Sequence, residues 1–465
     1  MGEAYGFSRR GFLLGAGAGL AAGVPLTLWA ERPLREIGRH VLEPFRGVAK
    51  EDPKPAYAMP GPFPGRVVEV RHRDAVRPDN AVNAAAVRDM MGRGMCELTG
   101  AEHPREAWKR FFGAGDVVGV KVNPVGKGKP GAVGAISNKE VLLEVVLRLR
   151  DAGVKPADII VFERYATEFR LAGYEDLMRE RVMDGVRWLA SSSGYDDTQL
   201  SIDGFANRRD EREHDPHVAG YDPDVFVTMG YCHPRHSPRD DRRFRSHLSA
   251  IVTRMVNKIV TLPVLKDHRS AGVTLALKNM SHGFNNNVAR SHIADIPRLG
   301  GAVSSPNQCD TFIPTAAGQL AIRQKATLHI LDGLIGVYEG GPGNWNRTWG
   351  TWRRKSLFFA TDPVALDHVG WDIIDAKRAE QGWQPVAQMG QLQQVPAVQL
   401  SSRLAALAAQ GVPSALAAAA TGQNAPGIQD TEQFDRRQPE HIPLAGLHGL
   451  GVFDARGIEH RVVQL

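Results

Sequence analysis

The densest run of chemically capable residues lies between positions 263 and 283. It places Lys266, Asp267 and His268 directly after one apolar stretch, and Lys278, Asn279 and His282 after a second. Lysine carries a compact positive charge with three donors, and a neutral histidine can donate, accept or ligate. If residues 272–282 are helical, Lys278 and His282 share a face, four positions apart. Lys266, Lys278 and His268 then suit an anionic ligand such as a carboxylate or phosphate. His268 and His282 are the candidates for general acid/base work, because histidine titrates near neutral pH. The competing reading is that the lysines are solvated and His282 packs near a helix end.

Such residues act together only if the fold brings them to one place. Apolar runs at 67–70, 117–122, 158–162, 225–229, 258–262, 327–331 and 356–360 read as strands. Between the second and third lies a helical pattern through Val141, Leu142, Val145, Val146 and Leu149. A capping box is expected at its start, with Ser137 as N-cap and Glu140 three residues on, and Gly153 as its C-cap. This strand–helix–strand unit implies a right-handed crossover and parallel pairing. Pro363 opens a further helix running to Ile374. The fold class is α/β: a largely parallel sheet flanked by helices, with a peripheral C-terminal helical segment.

In open α/β sheets ligands bind beyond the carboxyl ends of the strands. Polar residues follow strand after strand here: Asn123, then Glu163 and Arg164, His233 and His236, Lys266 to His268, Asp332, and Asp362. Their convergence on one edge is the expectation. It makes Asn123, Lys266, Lys278, Asn279 and Asp362 the candidate ligand-binding set.

Proline between His233 and His236 argues for a loop, and histidine-bearing loops hold divalent metals. The pair could ligate one with His268 or His282, or could be surface polar groups beside the charged run at 239–245. The three cysteines (Cys96, Cys232, Cys309) include no Cys-x-x-Cys, which argues against an iron–sulfur cluster. The glycine-rich loop at 126–131 lacks both common phosphate-binding patterns, so no nucleotide is expected through them. It could serve as a flexible cover. The formal charge of +6 is spread out, with no basic block carrying interleaved aromatics, so nucleic acid is a poor partner.

Several short motifs recur in an order that resembles the domain of unknown function 362 family. They are Val118-x-x-Lys121-x-Asn123, Pro263-x-x-Lys266-x-His268, the Lys278–Asn279 pair, and Asp362-Pro363-x-Ala365-x-Asp367. The resemblance spans most of residues 115–375. It implies no particular activity. Some relatives carry iron–sulfur domains, and this chain departs from them in having no cysteine cluster.

Arg9 and Arg10 stand directly before the uncharged run 12–30, which is rich in Gly and Ala and interrupted by Pro25. The pattern resembles a twin-arginine translocation signal. The Tat translocase is then a partner during export, and the location is periplasmic. Membrane contact would come only through this segment, if it stays uncleaved. The expected organisation is a signal at 1–30, a proline-rich linker at 31–65, an α/β domain at 66–380, and a helical or irregular extension at 381–465. Two readings follow. One is an exported enzyme acting on a small anionic molecule, with or without the assistance of a bound metal. The other is a non-catalytic periplasmic binding or accessory factor for a redox enzyme, docking through Trp345, Trp349 and Trp352. Gly340, Gly341 and Gly343 would equally let that loop act as a lid.

Overall fold

A computed structural model describes residues 57–126, 135–196, 198–205, 215–229, 239–268, 270–291, 309–344, 348–386 and 439–465. The expected signal, most of the linker, the tip of the glycine-rich loop, His233, His236, Cys232, Trp345 and positions 387–438 lie outside them.

The strands are β1 (Arg66–Arg71), β2 (Val118–Lys121), β3 (Ile159–Tyr165), β4 (Arg187–Ser192), β5 (Tyr221–Thr228), β6 (Arg245–Ser249), β7 (Lys258–Thr261), β8 (Val264–His268), β9 (Gly272–Val273), β10 (Ala326–Glu339), β11 (Gly350–Trp352), β12 (Ser356–Ala360) and β13 (Glu459–Gln464). The helices are α1 (Ala84–Thr99), α2 (Pro104–Lys109), α3 (Lys139–Ala152), α4 (Ala166–Leu171), α5 (Tyr174–Leu177), α6 (Leu275–Phe284), α7 (Cys309–Ala317), α8 (Leu320–Lys325), α9 (Pro363–Glu380) and α10 (His441–Leu447).

Eleven strands form one mixed, mostly parallel sheet, whose main path runs β13-β1-β12-β10-β7-β2-β3-β4. From β10 to β4 every neighbour is parallel. These strands are apolar on both faces because helices cover both. Val118, Val120, Val161 and Val260 pack in one core with residues of α1 to α5. Ile160, Phe162 and Ile259 join a second core with α6 to α10. The α/β expectation holds.

The exceptions matter for the site. β12 runs antiparallel to both β10 and β1. Its carboxyl end, and Asp362 just beyond it, therefore point to the opposite edge from the ends of β2, β3 and β7. β5, expected as a further strand of the same sheet, pairs only with β6 in a separate two-stranded sheet. β13 is an edge strand of the main sheet, paired in parallel with β1 over six residues, where the C-terminal segment was expected to be helical or irregular. Pro263, without an N–H, separates β7 from β8, and both segments lie along the long β10.

The expected capping box is corrected at one residue. Asn138, not Ser137, is the N-cap of α3, its side chain accepting from the Glu140 N–H. Ser137 Oγ instead accepts from Asn123 N at 2.7 Å and donates to Leu262 O at 2.5 Å, tying the ends of β2 and β7 together. Gly153 caps the other end in the left-handed region, φ 107°. Among the described residues no helix is long and apolar enough to cross a membrane.

Candidate functional site

At the carboxyl ends of β2 and β3, under α6, lies a cavity of about 210 Å³. Its charged lining is Lys121, Glu163, Arg164, Glu168, Lys266 and Lys278, with Asn123, His268, Asn279 and His282 beside them. Lys121 ends β2, Glu163 and Arg164 end β3, and Glu168 follows on α4. β8 supplies Lys266 and His268, and α6 supplies Lys278, Asn279 and His282.

The helix α6 is held in place from outside the cavity. Asp367 on α9 accepts from the first-turn N–H groups of Ala276 at 2.7 Å and Leu277 at 2.9 Å. A carboxylate there satisfies donors that a helix start leaves open and complements its dipole. Leu275, the first residue of α6, sits at φ 45°, a strained conformation for a branched side chain. Gly283 lets Lys121 pass close: a Cβ there would lie 2.7 Å from Lys121 Cε.

The lysines differ in what they already hold. Lys121 Nζ is ion-paired to Glu163 and donates to Val122 O at 2.6 Å and Asn279 Oδ1 at 3.3 Å. Lys266 Nζ donates to Asn123 Oδ1 at 3.2 Å, Ala135 O at 3.3 Å and Val125 O. Both ammonium groups are thus fully engaged, and Lys266 pins the two ends of the glycine-rich loop. The Nζ of Lys278 has no hydrogen-bond acceptor among the described residues. Arg164 donates to His282 O at 3.0 Å and lies 4.2 Å over the Tyr165 ring.

Three buried polar atoms of this one cavity have no partner among the described residues: Arg164 Nε, Asn279 Nδ2 and Glu168 Oε2. Buried polar groups are normally satisfied, so two open donors and one open acceptor around a cavity mark a place for a ligand or water.

Burial disfavours the charged forms throughout. It pushes Lys278 down to about 8, and it pushes Lys266 down to about 7 with the Lys278 charge adding to the effect. Burial raises Glu168 to about 7, with Glu163 nearby as a second cause. Lys121 is lowered by burial, against the opposing pull of Glu163. Three groups of one cavity therefore titrate near neutral pH, a pattern common at functional sites.

His268 Nδ1 accepts from Ser270 N at 3.1 Å and Ala271 N at 3.2 Å, so the ring proton of the neutral form sits on Nε2. His282 is arranged differently. Its Nε2 lies 2.9 Å from Ser291 Oγ and its Nδ1 3.1 Å from Ser281 Oγ, with its edge on Phe312. Both nitrogens of this histidine already face serine hydroxyls.

Of the expected ligand-binding set, the fold brings Asn123, Lys266, Lys278 and Asn279 together with both histidines. It does not bring Asp362. That carboxylate caps α9 through Val364 N and Ala365 N and also accepts from Gly65 N and Val452 N, all at 2.9 Å. Asp332 lies inside β10 and accepts from Asn138 N at 2.7 Å. Lys121 was visible only as part of a motif. Glu168 was missed, since a single glutamate on a short helix gives no pattern. No group of three His, Cys, Asp or Glu suited to a metal ion occurs among the described residues, and His233 and His236 are not among these. Trp349 packs against Ala135, Val264 and Val337.

Fold and cavity together define an α/β protein with a buried, cation-lined site at the edge where its parallel strands end. Residues 236–372 match the family described as Domain of unknown function (DUF362). The matched span supplies Lys266, His268, Lys278, Asn279 and His282, whereas Lys121, Asn123, Glu163, Arg164 and Glu168 precede it. No curated protein matches the chain.

Proposed function

We propose that the cavity binds a small organic anion, with a carboxylate as the recognised group. The observation that carries this reading is the pair of open donors, Arg164 Nε and Asn279 Nδ2, in a cavity that Lys278 also lines. At about 210 Å³ the space is below the roughly 300–1,000 Å³ of drug-sized sites, which suits a ligand of few atoms. Arg164 offers a planar donor edge of the kind that matches a carboxylate. Glu168 Oε2 would accept from a hydroxyl on the same ligand or, when protonated, donate to it.

Titration calorimetry with propionate, lactate, succinate and inorganic phosphate tests this. Arg164→Gln should weaken carboxylate binding about 10- to 100-fold, the loss of a charged hydrogen bond. Equal affinity in a folded Arg164→Gln protein would remove the assignment.

An enzymatic role is the reading we favour over a purely binding one, because groups that titrate near neutral pH line the same space as the open donors. The further proposal that the protein works outside the cytoplasm, exported by the Tat translocase, rests on Arg9, Arg10 and the run after them. Changing both arginines to lysine should leave the protein in the cytoplasmic fraction. Unaltered periplasmic recovery would argue against that route.

A further inference from the structure

The cavity contains one lysine in a different situation from its neighbours. Lys121 and Lys266 each spend all three N–H groups on protein oxygens. Lys278 lines the same space with no acceptor among the described residues, and it is about 8% exposed. It lies in the first turns of α6, where the positive end of the helix dipole disfavours a further positive charge. Lys266 and Arg164 add like charges from β8 and β3. A nearby cation in a site closed off from water is a condition under which an amine becomes a nucleophile.

We propose that Lys278 forms an imine with a small carboxylate that carries an adjacent carbonyl, a 2-oxo acid, using Glu168 as the proton carrier. This deepens the anion-binding reading and rests on it. Arg164 Nε and Asn279 Nδ2 hold the carboxylate, which leaves the neighbouring carbonyl carbon to the amine.

The step balances without any further reagent. The Nζ lone pair forms a C–N bond while the carbonyl π bond breaks and its oxygen takes the proton of neutral Glu168, becoming a hydroxyl and leaving Glu168 as a carboxylate. The nitrogen gives up one proton to the Glu168 carboxylate. The C–O bond then breaks with a proton returned from Glu168, water leaves, and the nitrogen lone pair closes the C=N bond. The result is a protonated imine and one water. Glu168 has an open oxygen in the same cavity and is raised by burial to about 7, so it can exist in both forms near neutral pH. The amine of Lys278, at about 8, is partly neutral under the same conditions.

The test is reductive trapping on the full chain. Pyruvate and glyoxylate are added with cyanoborohydride, and the adduct is located by peptide mass mapping. Propionate binding is measured in parallel. The expected result is a stoichiometric adduct on Lys278 with both probes. It should be lost in Lys278→Arg, with the fold of that variant checked by circular dichroism. Glu168→Gln should slow trapping on the order of 10²-fold. Propionate binding with no adduct on the wild-type chain would overturn the imine and leave the anion site standing. An adduct spread over surface lysines, or one on Lys266, would overturn it as well. Failure of propionate to bind would remove both.

Discussion

Between pH 6 and 9 the affinity of the cavity for a simple carboxylate should fall on the order of 10- to 100-fold. Three groups that titrate against the ligand act in the same direction. Glu168, raised to about 7 by burial, is largely neutral at pH 6 and repels an anion once ionised. Lys278, lowered to about 8, is charged at pH 6 and loses its charge by pH 9. Lys266, lowered to about 7, adds to the trend. Lys121 with its partner Glu163, and Arg164, make up the rest of the charged lining. Each proton taken up with the ligand changes the binding constant by up to roughly tenfold per pH unit. Calorimetry across this range in two buffers of different ionisation enthalpy would count those protons. A flat profile would remove Glu168 and Lys278 from the site. Imine trapping at saturating pyruvate should instead pass through a maximum, because it needs Lys278 neutral and Glu168 protonated, so the two processes separate on pH alone.

The largest loss of stability should come from Asp362→Ala. The side chain looks like an ordinary N-cap, whose removal costs about 1 kcal/mol. It does more than that here. One oxygen serves the Val364 and Ala365 N–H groups, and the other serves Gly65 and Val452, which lead into β1 and towards β13. Each buried donor left open costs about 1–3 kcal/mol. A loss of at least about 3 kcal/mol is expected in denaturant unfolding, with anion affinity unchanged, because Asp362 lies at the edge away from the cavity. Reduced affinity in a folded Asp362→Ala protein would contradict its placement.

Much of the site was legible because α/β sheets put function at the carboxyl ends of parallel strands, and the residues at the ends of β2, β3 and β8 have chemistry to offer. The same rule failed at Asp362 for a definite reason. Strand direction is a property of pairing partners distant in sequence, and nothing in residues 356–360 says that β12 runs backwards. The roles of the lysines were equally out of reach. That Lys266 is used up on Asn123, Val125 and Ala135, and Lys278 is not, depends on which carbonyls the fold turns towards each. Ser137 misled for a related reason: its hydroxyl was claimed by β2 and β7, and Asn138 took the cap. Glu168 carries no local pattern, and only the folded chain sets it beside Glu163.

The pairing of β1 with β13 brings together Arg66 and Glu459, 393 positions apart. Until the ribosome has made β13, the outer edge of β1 has no partner and remains open to a strand from another chain. Closure of the sheet is therefore a late, non-local event of the slow kind, and it must follow synthesis of nearly the whole domain. A chaperone that shields β1 during that wait would protect the sheet edge while leaving the distant cavity untouched.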